Sequence, residues 1–172
     1  GFLFVGRLSS EKGLKTLVVD PVMTATSGGR LLQKRAFDTL CSDLLPLASV
    51  ITPNIPEAEK LSGHPIVSLD DMKDVALCLR KKYGAACVVK GGHFDNKSGL
   101  PQREVVDVLC AGRDVFEFRT SRIVLPASHG TGCRFSAALT AFLAKGEPLR
   151  NAVRMSQRFV ARTLTDPLYL GR

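Results

Sequence analysis

The chain has 172 residues, a length that fits one domain, and its apolar fraction of 45% supports a full hydrophobic core, which excludes a disordered protein. The net charge of +8 arises from 24 Lys and Arg against 16 Asp and Glu; the basic residues are scattered and lack interleaved aromatics, which argues against a nucleic-acid groove and leaves a nucleotide triphosphate as a sufficient anionic partner. No apolar run approaches the roughly 20 residues of a membrane span, so no membrane partner is expected.

Taken in chain order, Gly1 to Arg7 reads as a short buried strand, with no basic region or cleavage site of a signal peptide. Thr16-Leu17-Val18-Val19 is a β-branched apolar run that ends at Asp20-Pro21, a strand that delivers Asp20 at its C-terminal end. Thr26 to Gly29 is a loop, and Phe37, Leu40, Cys41 and Leu44 recur at helical spacing over Lys34 to Leu45. Ser49 to Thr52 forms a second strand stopped by Pro53, and a helix follows from about Pro56 to Leu61, closed by Gly63. Ser68 caps a third helix that buries Met72, Val75, Ala76 and Leu79 and ends at Gly84.

Ala86 to Lys90 is another buried strand, and Asp95 to Arg103 is a polar loop. Val105 to Leu109 and Val115 to Arg119 read as a hairpin around Gly112. Thr131 to Ala144 is a helix rich in small residues, and a last helix starts near Pro148 and carries Ala152, Val153, Phe159 and Val160. Continuous apolar strands alternating with helices predict a three-layer α/β domain with a mostly parallel sheet. Ligands in such sheets bind at the C-terminal ends of the strands, and Asp20, Asn54, Lys90 and Gly91 all fall just after one.

The strongest chemical signal is His129-Gly130-Thr131-Gly132-Cys133, followed by Ser136-Ala137-Ala138. Its glycines leave backbone amides open at a helix N-terminus, where unpaired N–H groups and the dipole favour an anion such as a transferring phosphoryl group. Cys133 lies in the first turn of that helix, where its thiol pKa is expected to fall and a thiolate could act as general base. Asn54 and Glu57 stand three apart around a helix start, and Glu57 with Asp20 could supply carboxylates to magnesium. Lys90-Gly91-Gly92-His93 places a lysine beside two glycines within reach of a triphosphate. The remaining cysteines, Cys41, Cys78, Cys87 and Cys110, lie in apolar segments with no CxxC, which argues against a disulfide framework or zinc site and fits the cytoplasm. No P-loop, GxGxxG or GxSxG motif occurs.

Val19-Asp20-Pro21-Val22-Met23, Thr26-Ser27-Gly28, Ile51 to Glu59, Val89 to His93 and His129 to Ala138 occur in this order, and together they closely resemble the hydroxymethylpyrimidine/phosphomethylpyrimidine kinases of the ribokinase superfamily. The resemblance implies a ribokinase-like fold and an ATP- and Mg2+-dependent kinase. It would phosphorylate hydroxymethylpyrimidine, then its monophosphate, for thiamine biosynthesis. It also implies that Gly130, Thr131 and Gly132 form an anion hole with Cys133 as base. Lys90, Asn54, Asp20 and Gly92 would contact ATP phosphates, Glu57 and Asp20 the metal, and Val22 the acceptor. Most of the superfamily carries Asp where Cys133 stands; the Cys points to the pyrimidine kinases or to the pyridoxal kinases that resemble them.

The chain departs from the family pattern before Asp20, where the family has a long N-terminal region that supplies early strands and much of the acceptor pocket. Residues 1–172 are therefore expected to form a single domain lacking that region, with exposed sheet edges compatible with a homo-oligomer. Pyridoxal kinase, or a non-catalytic remnant that at most binds nucleotide, are the alternatives. Arg134 stands where the family has a smaller residue, and the glycine-rich closing segment is replaced by Thr165 to Tyr169.

Overall fold

The computed structural model describes residues 4–10, 13–23, 33–92, 103–123 and 130–165. The loops expected at 26–29 and 95–102, His93, His129 and residues 166–169 lie outside the described residues.

A six-stranded sheet runs in the order β1-β2-β3-β4-β5-β6, with β1 at Phe4–Ser10, β2 at Gly13–Asp20, β3 at Val50–Ile51, β4 at Ala86–Val89, β5 at Glu104–Ala111 and β6 at Asp114–Ser121. The sheet is mixed: β2, β3 and β4 are parallel, whereas β1 pairs with β2, β5 with β4, and β6 with β5, each antiparallel. The parallel character expected from the alternation of strands and helices is thus confined to the centre. Short connections account for the β1–β2 and β5–β6 pairs, because strands so joined pair antiparallel; β5 meets β4 antiparallel across the longer stretch 90–103. Residues 11–12 separate β1 from β2, and Gly112, at φ +65°, helps turn β5 into β6. One extra residue on β2 opposite Leu8 and Ser9 makes a bulge in the first pair.

Strand parity builds two cores. Leu17, Val19, Ile51, Cys87, Val89, Val108 and Cys110 face one side, and Val18, Val50, Val88 and Leu109 face the other. The first side is covered by α1 (Lys34–Thr39), α2 (Ile55–Ser62) and α3 (Leu69–Tyr83), and the second by α4 (Thr131–Ala144) and α5 (Leu149–Thr165). This is the three-layer arrangement. The helix expected over Lys34 to Leu45 is regular only to Thr39; a π turn (Leu40–Leu44) and a 3-10 turn (Leu45–Leu47) follow. The wider turn lets Leu45 join Leu40 in the core, and Pro46 cannot donate to a continuing α ladder. Ser68 caps α3 as expected, in a capping box with Asp71, and Gly84 closes it in the left-handed region.

The parallel ladder continues past the strands as an isolated bridge between Asn54 and Lys90, supported by Lys90 N donating to Pro53 O at 2.9 Å. Directly after it, Gly91 is pressed against β5. A Cβ placed on Gly91 would lie 1.9 Å from Val106 O, whereas one on Gly92 would meet nothing within 4 Å. Gly91→Ala is therefore expected to destabilise the fold by about 2–3 kcal/mol, because backbone must move, and Gly92→Ala to stay within about 0.5 kcal/mol of the parent. Urea unfolding of the two variants side by side checks this, and equal stabilities would contradict the close approach.

Candidate active site

The site begins with an ion pair. Asp20 ends β2 and Lys90 follows β4, so the central strand β3 lies between them, and their side chains meet with Lys90 Nζ 2.9 Å from Asp20 Oδ1. Asp20 is 1% and Lys90 9% exposed. Taking both charges out of water is costly, and only the mutual pairing and further hydrogen bonds offset it. Those bonds are present: Ser136 Oγ donates to Asp20 Oδ2 at 3.0 Å and lies 2.9 Å from Thr52 Oγ1. Lys90 is accordingly no surface lysine at a turn. Its ammonium also abuts the start of α4, since a Cβ on Gly132 would lie 3.1 Å from Nζ.

Asn54 and Glu57 meet at the N-terminus of α2 as a reciprocal capping box. Glu57 N donates to Asn54 Oδ1 and Asn54 N donates to Glu57 Oε2, both at 2.9 Å. The remaining Glu57 oxygen accepts from Met23 N at 3.3 Å. With one lone pair of Oδ1 engaged, Asn54 keeps its Nδ2 donors for a ligand. Burial pushes the Glu57 carboxyl above the usual carboxylate range and Asp20 adds to the rise; Lys90 and the two backbone donors oppose it. Two buried carboxylates thus stand near one buried ammonium.

The third component is the N-terminus of α4. Gly130 caps it at φ +82°, a conformation that favours glycine, with Thr131, Gly132 and Cys133 forming the first turn. The thiol of Cys133 does not fall in pKa as its position at the helix start predicts. Although the residue is exposed, partial burial of its thiol raises the pKa, and the Asp20 and Glu57 carboxylates raise it further; Lys90 and the backbone pull the other way without prevailing. Desolvation of the thiol, with the two carboxylates behind it, outweighs the partial charge of the helix end. Arg134 is exposed, so its size meets solvent rather than the site.

These parts line one cleft of about 610 Å³: Asp20, Val22, Asn54, Glu57, Lys90, Gly92 and Gly130 to Cys133 all reach its wall. Every residue assigned a role from the sequence therefore falls on one rim. The sequence reading missed the remaining wall, which includes Asp107, Gln157, Phe135 and Val160. Asp107 breaks the apolar run of β5, Val105-Val106-Asp107-Val108-Leu109, and that break was the available signal. Gln157 carries no comparable sign. The four cysteines other than Cys133 are free; Cys87 and Cys110 are fully buried opposite each other on β4 and β5. Among the described residues no helix is long and apolar enough to cross a membrane, and no group of three or more His, Cys, Asp or Glu is arranged to hold a metal.

Residues 3–172 match the family model of phosphomethylpyrimidine kinase. The hydroxymethylpyrimidine/phosphomethylpyrimidine kinase of Haemophilus influenzae is 46% identical over 164 residues, which cover 95% of this chain and 60% of that protein. The pyridoxal kinase from Staphylococcus aureus in complex with AMP-PCP superposes with a TM-score of 0.75 at 33% identity, over 90% of this chain and 54% of that one. The phosphomethylpyrimidine kinase from Clostridium difficile 630 superposes with a TM-score of 0.70 at 35% identity, over 86% of this chain and 56% of that one. The chain spans little more than half the length of these solved proteins. On the match across nearly its whole length, the chain belongs to the phosphomethylpyrimidine kinase family.

Proposed function

We propose that this cleft transfers the γ-phosphoryl group of ATP to the hydroxymethyl oxygen of hydroxymethylpyrimidine, and then a second phosphoryl group to the monophosphate so formed. The observation that carries the reading is the Lys90 ammonium held against the first turn of α4, Gly130 to Cys133, on one wall of the cleft; the unpaired amides of a helix start would serve there as an anion hole. Phosphoryl transfer calls chiefly for positioning and charge stabilisation, which these groups supply. Lys90 and the Asn54 amide would hold the phosphates, and Val22, which lines the same cleft, would contact the acceptor ring.

In the first transfer the acceptor oxygen bonds to the γ-phosphorus, the bond from that phosphorus to the β–γ bridging oxygen breaks, and ADP leaves. The hydroxyl proton would pass to Cys133 Sγ in its thiolate form. A thiol pKa raised by its surroundings makes that thiolate scarcer at neutral pH but more basic, so the base acts through the fraction of thiol that is ionised. The second transfer differs chemically. Its nucleophile is a phosphate oxygen, ionised already near neutral pH because the second phosphate pKa is about 6, so no base is required.

Magnesium fits the residues present. Asp20 and Glu57 are two carboxylates against the one ammonium of Lys90, and a buried carboxylate pair with a single cation partner suits a cation shared with phosphate oxygens. Bound there, the ion would neutralise charge that develops on the phosphates.

Cys133→Ala is expected to lower kcat for the first transfer by roughly 10²–10⁴ with the ATP KM little changed, and to leave the second transfer within a few-fold. Separate assays of ADP release with hydroxymethylpyrimidine and with its monophosphate read this in the purified protein; equal losses in both would remove the base from Cys133. Pyridoxal serves as the competing acceptor, and turnover of pyridoxal but not of the pyrimidine would overturn the substrate assignment.

The raised Glu57 pKa gives a second expectation. The folded protein retains this proton to higher pH than the unfolded chain, so Glu57 subtracts stability as pH rises from the ordinary carboxylate value through the raised one. A cation must displace the same proton. The magnesium concentration for half-maximal activity should therefore rise as pH falls through the raised value, and Glu57→Gln should raise it at neutral pH and abolish that dependence. Unaltered magnesium profiles would reduce Glu57 to its capping role.

A further inference from the structure

Asp107 is a carboxylate where the fold alone would place an apolar residue. In β5 it shares the parity of Leu109, whose side is covered by α4 and α5, and it is 4% exposed. Both oxygens are engaged. Gly91 N donates to Oδ1 at 2.8 Å, and Gln157 Nε2 from α5 donates to Oδ2 at 3.0 Å. The same Gln157 nitrogen donates to Phe118 O of β6 at 2.9 Å, so both of its protons are spent inside the protein. Burial pushes Asp107 above the usual carboxylate range, while Gly91, Gln157 and the charge of Lys90 pull it back. Replacing such a buried polar link by apolar residues of similar shape is often neutral for stability, so core formation alone does not account for a carboxylate here.

What the link does is anchor the backbone at the root of the Lys90 side chain. Gly91 follows Lys90 directly, and its lack of a Cβ lets the chain lie against Val106 O. At the other end of the side chain, Asp20 holds Nζ. We propose that Asp107 and Gln157 are positioning residues that fix the Lys90–Gly91 turn, and through it the Lys90 ammonium, against the phosphate end of the cleft; this rests on the nucleotide reading above. Neither side chain has to touch the reacting atoms. Their contribution is to hold Lys90 where a triphosphate meets it without reordering the strand end, which lowers the cost of binding.

The test is a double-mutant cycle on the purified protein with Asp107→Asn, Gln157→Met and Lys90→Met, read as the KM for ATP, the KM for the pyrimidine and, without turnover, the affinity for AMP-PCP. Each positioning substitution is expected to weaken ATP and AMP-PCP about tenfold and to leave the pyrimidine KM unchanged. In the Lys90→Met background the same substitutions should cost less than about twofold, because the group they position is gone. Equal losses in both backgrounds, or parallel losses for both substrates, would show a general structural role and overturn the inference. If Asp107→Asn does not fold, Gln157→Met, which keeps length and loses only the donors, carries the cycle. A parent protein that binds AMP-PCP but transfers no phosphoryl group contradicts the kinase reading while the cycle still decides this one; a parent that binds no nucleotide overturns both.

Discussion

The buried pair of Asp20 and Lys90 is the constraint from which the rest of the site follows. It spans the parallel centre of the sheet, from the end of β2 to the residue after β4, and it fixes the rim on which every other polar group converges. Ser136 and Thr52 extend it into α4 and the end of β3, and Glu57 and Cys133 both respond to its charges. A buried ion pair is weak evidence for stability, because desolvation of two charges consumes most of the attraction. Its geometry has more meaning as a charge arrangement: a buried cation and a buried carboxylate, each neutralised by the other, at the wall of the cleft.

Much of this was legible in the sequence because strand ends are easily read. β-branched runs stopped by Asp20-Pro21, Thr52-Pro53 and Lys90-Gly91 announce both the strand and the residue it delivers, and the rim of an α/β sheet collects them without any knowledge of the pairing order. Capping chemistry was equally readable at Ser68. Of the antiparallel flanks, the β5–β6 hairpin around Gly112 was legible, whereas the antiparallel pairing of β1 with β2 and of β5 with β4 was not, since it depends on neighbours across the sheet rather than on any one run. The π turn at Leu40–Leu44 escaped for a related reason: its apolar spacing fits a regular helix, and only the demand of the core for Leu45 breaks it.

The site residues divide in the same way. Gly130 to Cys133 and Lys90 declare themselves by motif, whereas Gln157 is an ordinary polar residue on an amphipathic helix until α5 is laid beside β5 and β6. The pKa of Cys133 shows where local reasoning fails. The helix start argues for a lowered value, but the fold partly buries the thiol and brings Asp20 and Glu57 near it, and these together outweigh the helix end. Burial above all raises both the Cys133 thiol and the Glu57 carboxyl, and the neighbouring carboxylates add to each rise.

The most direct measurement replaces the central pair with apolar side chains of similar size. The double substitution Asp20→Leu/Lys90→Met removes both charges together, so neither is left buried alone. The account predicts that its unfolding free energy stays within about 1 kcal/mol of the parent or rises, while ATP binding is lost by titration calorimetry. A double variant that unfolds far more easily yet still binds ATP would contradict it, and would make the pair a structural brace with no part in holding phosphate.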